Sequence, residues 1–196
     1  THAPGFLAGK EGYLFEEDYI HEYTGRFFVG ERTIGSKLDR LRIVRDSLAA
    51  YGTTLLFVLE PGKASFFPEY IPDSFGPQNR RITNYEIFAR LAAEKGITTL
   101  DLNRWFMQMK DTTRYPLFPK YGMHWSLYGA KLAADTLARF VEKVTGRPLP
   151  VFKTQYLHFS NRSQGTDYDI GDMLNLLFPL PSTPNVYPMV AFDSIP

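Results

Sequence analysis

No cysteine occurs among the 196 residues, which excludes a disulfide framework, a thiolate metal site and a cysteine nucleophile. Long apolar runs are missing as well. No stretch approaches the roughly 18 residues that span a bilayer, and Thr1 to Gly5 has neither a basic nor an apolar leader region. An export signal or membrane anchor is therefore expected to lie outside this sequence. Nor is there a surplus of one charge: 22 basic and 21 acidic side chains leave +1, too weak a field to attract nucleic acid, so the expected partner is neutral or small. Internal repeats, heptads and low-complexity tracts are absent.

What is present is apolar and aromatic. With 44% hydrophobic and 15% aromatic residues the chain can bury one substantial core. Gly9-Lys10-Glu11-Gly12 before Tyr13-Leu14-Phe15 predicts a turn into a short strand that covers one edge of the fold. From Glu31 to Tyr51, Ile34, Leu38, Leu41, Ile43, Val44 and Leu48 recur at three- and four-residue steps, which predicts an amphipathic helix stopped by Gly52. Thr53 to Leu59 is a strand candidate apolar on both faces, as a buried parallel sheet requires. A helical stripe over Arg81 to Lys95 and a second strand, Ile97 to Leu100, complete strand, helix, strand, with the two strands expected to be parallel neighbours. Ser126 to Gly146 carries a capped helix with Leu127, Ala130, Ala134, Leu137 and Phe140 on one stripe. Residues 1–150 are thus expected to form an α/β core, and 151–196 an extended arm or hairpin, a short helix and a connection.

The strongest chemical signal is Tyr121-Gly122-Met123-His124-Trp125-Ser126, a histidine just ahead of a helix. The dipole there disfavours the imidazolium, so the ring can accept a proton. The competing reading is a histidine that only bonds a loop carbonyl while Trp125 fills the core. Asp101 follows a strand and so lies near the carboxyl edge where open α/β sheets place their sites; it is also a natural N-cap for a helix from Leu102 to Met109. Lys63, after the central strand, could meet an acyl or sugar oxygen. Tyr115, Tyr121 and Tyr128 surround the histidine block and could stack on sugar rings or simply pack. Asn161-Arg162-Ser163 fits a glycosylation sequon, a pattern too common to carry weight.

Four blocks appear in one order over residues 9 to about 145: Gly9 to Phe15, Leu59-Glu60-Pro61-Gly62-Lys63-Ala64-Ser65, Leu100-Asp101-Leu102, and His124-Trp125-Ser126 followed by Gly129-Ala130. In this the sequence resembles the SGNH-hydrolase-like domain of the AlgJ/AlgX group of polysaccharide O-acetyltransferases. The resemblance implies a three-layer α/β/α, flavodoxin-like sheet, incomplete at the C-terminus in this chain. It implies acetyl transfer to a polysaccharide hydroxyl, or acetyl-ester cleavage, by a Ser-His-Asp triad with an acetyl-serine intermediate and no metal or cofactor. His124 takes the place of the triad histidine, with Lys63, Trp125, Tyr121 and Tyr128 as substrate-binding candidates. The setting it implies is periplasmic or otherwise extracytoplasmic and membrane-anchored, with a membrane acyl-transfer protein as partner.

The chain departs from the pattern twice. The family places an aspartate two residues before its histidine, where this sequence has Gly122, so another carboxylate must orient the ring, and Asp101 is the candidate. The family's reactive serine, in a Gly-Asp-Ser-like turn, follows the histidine block, and no such turn follows Ser126. Ser194 is the sole Asp-Ser serine downstream and has no room for a helix behind it, so the serine is expected beyond Pro196. A non-catalytic saccharide-binding or scaffold domain of the same fold is the alternative.

Overall fold

A short glycine-bracketed turn opens the structure, a computed structural model that describes residues 5–150, 152–163, 165–181 and 183–192. Gly12 adopts φ 76°, a left-handed conformation that a side chain would strain, and the turn pairs β1 (Phe6–Ala8) with β2 (Leu14–Glu16) antiparallel, Leu7 opposite Phe15. Phe15 leaves the hairpin into the main core, where it is fully buried with Ile20, Phe66, Ile71, Phe106 and Leu117. The chain turns at once into α1 (Glu17–Thr24), ended by Gly25 at φ 79°.

The long amphipathic segment forms α2 (Glu31–Ala49). Its Ile34 and Leu38 pack against Ile87, Leu91 and Ala92 of α4 (Asn84–Glu94) in a second core cluster. Ile43 and Val44, counted in the sequence stripe, are exposed and lie outside that cluster. α4 starts in a capping box: Thr83 accepts from the Glu86 amide while the Glu86 carboxylate accepts from the Thr83 amide.

The expected parallel pair is present but short. β3 (Phe57–Leu59) pairs with β4 (Thr99–Asp101) in register Phe57↔Thr99 to Leu59↔Asp101. A strand extends only as far as its neighbour's backbone does, so the exposed Thr53 and Thr54 stay outside it. Each strand delivers a short helix at its carboxyl end: α3 (Lys63–Phe66) after β3 and α5 (Leu102–Met109) after β4. The helix on Ser126 is α6 (Leu127–Thr145), with Ser126 accepting from the Gly129 amide and Gly146 closing it at φ 68°.

Beyond Pro150 the chain forms a long antiparallel hairpin, β5 (Phe152–Ser160) with β6 (Asn185–Phe192), with a register shift between Thr154 and Tyr156. Between its arms lies α7 (Asp169–Met173), whose Ile170 is fully buried against Leu14 and Tyr121. That side chain helps to fasten the segment to the first hairpin and to the histidine loop, alongside the Gly171 amide, which donates to the Tyr121 carbonyl at 3.3 Å. No helix of the described residues is long and apolar enough to cross a membrane.

Candidate active site

The site is built on the loop between α5 and α6. His124 lies two residues ahead of the Ser126 cap, and Ser126 is tied down by donating its hydroxyl to the Pro116 carbonyl at 2.8 Å. The loop is held from beneath by Lys63. This side chain is 1% exposed, and its amine donates to the carbonyls of Lys120 (2.9 Å) and Gly122 (2.6 Å). Burial lowers the Lys63 pKa from 10.5 to about 7, opposed by the nearby Asp169 carboxylate. A neutral amine still has two N–H groups, one for each carbonyl, so the anchor holds in either protonation state.

His124 meets a carboxylate that is distant in sequence. Its Nδ1 lies 2.8 Å from Oδ2 of Asp169, and the other carboxylate oxygen accepts from the Met123 amide (2.8 Å) and the Ile170 amide (2.7 Å). A carboxylate without a proton only accepts, so this bond places a hydrogen on Nδ1. In the neutral ring Nε2 is then the basic nitrogen. It has no hydrogen-bond partner among the described residues, and the side chain is half exposed.

Gly122 explains why the carboxylate comes from α7. A Cβ built there would overlap the Thr166 carbonyl oxygen and approach Pro119 Cγ at 2.8 Å. The segment carrying Asp169 occupies the space that a side chain at position 122 would need.

His124, Met123, Trp125, Tyr19, Glu60 and Gly62 line a cleft of about 80 Å³. Tyr19, Glu60, Pro61 and Gly62 also line a wider cleft of about 300 Å³ that continues towards Tyr85 and Asn103. Close to the histidine, the Glu16 carboxyl is pushed up from its ordinary range by burial, then by Asp18 and Asp169, with His124 opposing.

Of the residues singled out from sequence, His124 and Trp125 stand at this cleft. Asp101 does not meet His124: it caps α5 through the Arg104 amide at 2.8 Å and accepts from the Tyr85 hydroxyl at 2.9 Å. The carboxylate on His124 is Asp169, which no local spacing flagged because 45 residues separate the two. Lys63 borders the cleft, but its amine is committed to two backbone carbonyls. Tyr121 is 5% exposed and packs edge-on against Tyr168, and Tyr128 packs edge-on against Tyr115, so neither lines the cleft; the tyrosine that does is Tyr19. Ser194 lies outside the described residues, and among those described no serine hydroxyl is bonded to His124.

The family described as SGNH hydrolase-like domain, acetyltransferase AlgX, matches residues 6–192. A Pseudomonas putida relative named "Probable alginate O-acetylase AlgJ" is 28% identical over 140 residues, 71% of this chain and 34% of its own length. The chain thus spans about a third of the length of the relatives it matches. Among solved structures, the O-acetyltransferase domain of Pseudomonas putida AlgJ superposes with a TM-score of 0.65 at 23% identity, covering 97% of this chain and 66% of that one. Bacillus cereus PatB1 does so with 0.61 at 12% identity, covering 96% and 65%. At these identities the superpositions speak for the fold.

Proposed function

The chain belongs to the SGNH hydrolase-like domain family of acetyltransferase AlgX and has its α/β fold, and from that premise we propose that it moves acetyl groups on a polysaccharide by His124-assisted catalysis. The observation that carries this is the 2.8 Å bond from His124 Nδ1 to Asp169, which orients the ring and leaves Nε2 for a reacting hydroxyl.

The chemistry needs a serine supplied from outside the described residues. Its Oγ attacks the acetyl carbonyl while Nε2 takes the hydroxyl proton. The imidazolium, steadied by Asp169, returns that proton to the leaving oxygen, and an acetyl-serine remains. A sugar hydroxyl then attacks the acetyl-serine with His124 again removing the proton, which gives the acetylated sugar and free serine. Water in place of the sugar gives ester cleavage. No step calls for a metal or cofactor. Trp125 and Tyr19, which line the cleft, are the rings placed to pack on the sugar. The setting we propose is extracytoplasmic, with the anchor and a membrane acyl-transfer partner contributed outside these residues.

The test is an acetyl-transfer or acetyl-ester assay on the natural protein that carries this domain. Asp169→Asn is expected to lower kcat about 10⁴-fold, as loss of the orienting acid does in other triads. Asp101→Asn should leave kcat nearly unchanged. An Asp169→Asn protein with full activity would sink the assignment, and indifference to His124→Ala as well would favour a saccharide-binding domain.

A further inference from the structure

The wider cleft has a charge pattern of its own. Its walls carry the rings of Tyr19, Tyr23 and Tyr85 with the carboxylates of Glu22 and Glu60. Neither carboxylate has an ion-pair or hydrogen-bond partner among the described residues. The one cation that lines the cleft, Arg80, is already engaged: its Nη1 lies 2.9 Å from Glu86, and its guanidinium sits 5.0 Å over the Tyr23 ring. Arg104, near Tyr85, stands 3.7 Å from Asp101. At the histidine end Glu16, Asp18 and Asp169 add negative charge, opposed by His124 and by the buried Lys63, whose amine is held by two carbonyls. The Glu22 carboxyl is pushed up from its ordinary range by burial first, then by Asp18 and Glu16, so these acids already repel one another.

We propose that this cleft is the subsite for the sugar that His124 serves, and that it selects a ring bearing no carboxylate. The inference rests on the acetyl-transfer reading of His124. Two unpaired carboxylates can each accept hydrogen bonds from sugar hydroxyls, and three tyrosine rings offer faces to stack on. A uronate would bring a further negative charge against Glu22 and Glu60, and Arg80, the cation among the described residues that line the cleft, is already paired with Glu86. Alginate, for which the AlgJ relatives are named, is a polyuronate, so selection of this kind would set the present chain apart from them.

The experiment compares two probes of one stereochemistry, β-1,4-linked mannohexaose and β-1,4-linked mannuronate hexamer, binding to the full chain by calorimetry. The neutral hexamer is expected to bind at least about tenfold more tightly, the effect of two carboxylates at contact range through a solvated cleft. Raised ionic strength should narrow that ratio, and so should the Glu22→Gln/Glu60→Gln double variant, by about tenfold. Neither carboxylate has a partner among the described residues and each is replaced by an isosteric amide, so the variant is expected to keep its fold, which circular dichroism checks. Tighter binding of the uronate, or a ratio that the double variant leaves unchanged, overturns this inference while the acetyl-transfer reading stands. Failure of both probes to bind a folded chain removes the saccharide site and the inference with it.

Discussion

At the scale of single residues the site depends on two positions that look passive. Gly122 has no side chain because the Thr166 carbonyl and Pro119 fill the space. Gly122→Asp, which would restore the carboxylate usual in the family, is expected to cost about 1–3 kcal/mol through overpacking and to leave activity lower, not higher. Urea denaturation with a parallel acetyl-ester assay decides this, and a stable, more active variant would show that the loop can yield. Lys63 is the second position. Its folded pKa of about 7 lies below the unfolded 10.5, so between those values the unfolded chain holds more protons and stability rises with pH. The Tyr13 phenol, pushed up to about 12 by burial, stays neutral in that window. Lys63→Met leaves two carbonyls without donors and should lose about 2 kcal/mol near pH 9, where wild-type Lys63 is neutral. The deficit should shrink towards pH 6, where wild type carries the cost of a buried charge; a pH-independent deficit in urea midpoints would contradict it.

At the scale of elements, caps set where helices begin and hence where side chains are delivered. Asp101 and Ser126 are both N-caps, of α5 and α6, and either changed to alanine should cost about 1 kcal/mol in thermal or urea unfolding. Their kinetic consequences differ. Ser126 also bonds the Pro116 carbonyl and stands two residues from His124, so Ser126→Ala should lower kcat beyond its effect on stability. Asp101→Ala should not, since its bonds go to the Arg104 amide and the Tyr85 hydroxyl and none to the His124 loop. Equal kinetic effects from both would mean that the His124 loop is not positioned by its cap. These caps were legible: Ser126 and Asp101 each precede an apolar helical stripe, a purely local pattern. The length of β3 was not, because strand ends are decided by the partner and β4 offers residues only from Thr99 to Asp101.

At the scale of the whole molecule the site is assembled across the two ends of the chain. α7 is held against the His124 loop by Ile170, buried against Leu14 of the first hairpin and Tyr121 of the loop, together with the Asp169 bonds to Met123 and His124. Ile170→Ala is therefore expected to destabilise by about 2–5 kcal/mol and to lower kcat without touching a reactant, by loosening Asp169. Hydrogen exchange should rise first over residues 165–174, and an undisturbed exchange pattern alongside lost activity would defeat the coupling.

The sequence by itself determined the long helices α2, α4 and α6, the glycine turns and the parallel pairing of the segments read as 53–59 and 97–100, and it singled out His124 as a candidate. Each is written in periodicity, caps or a block a few residues long, where interactions are local. Only the tertiary structure decided which carboxylate meets His124, that Lys63 is an anchor under the loop, and that Tyr19 replaces Tyr121 and Tyr128 at the cleft. Those outcomes depend on contacts across 45 or more residues, and a side chain's role there is fixed by which surface packing turns it towards. A lysine, aspartate or tyrosine reads the same in a string of letters whether it faces solvent, a carbonyl or an imidazole ring.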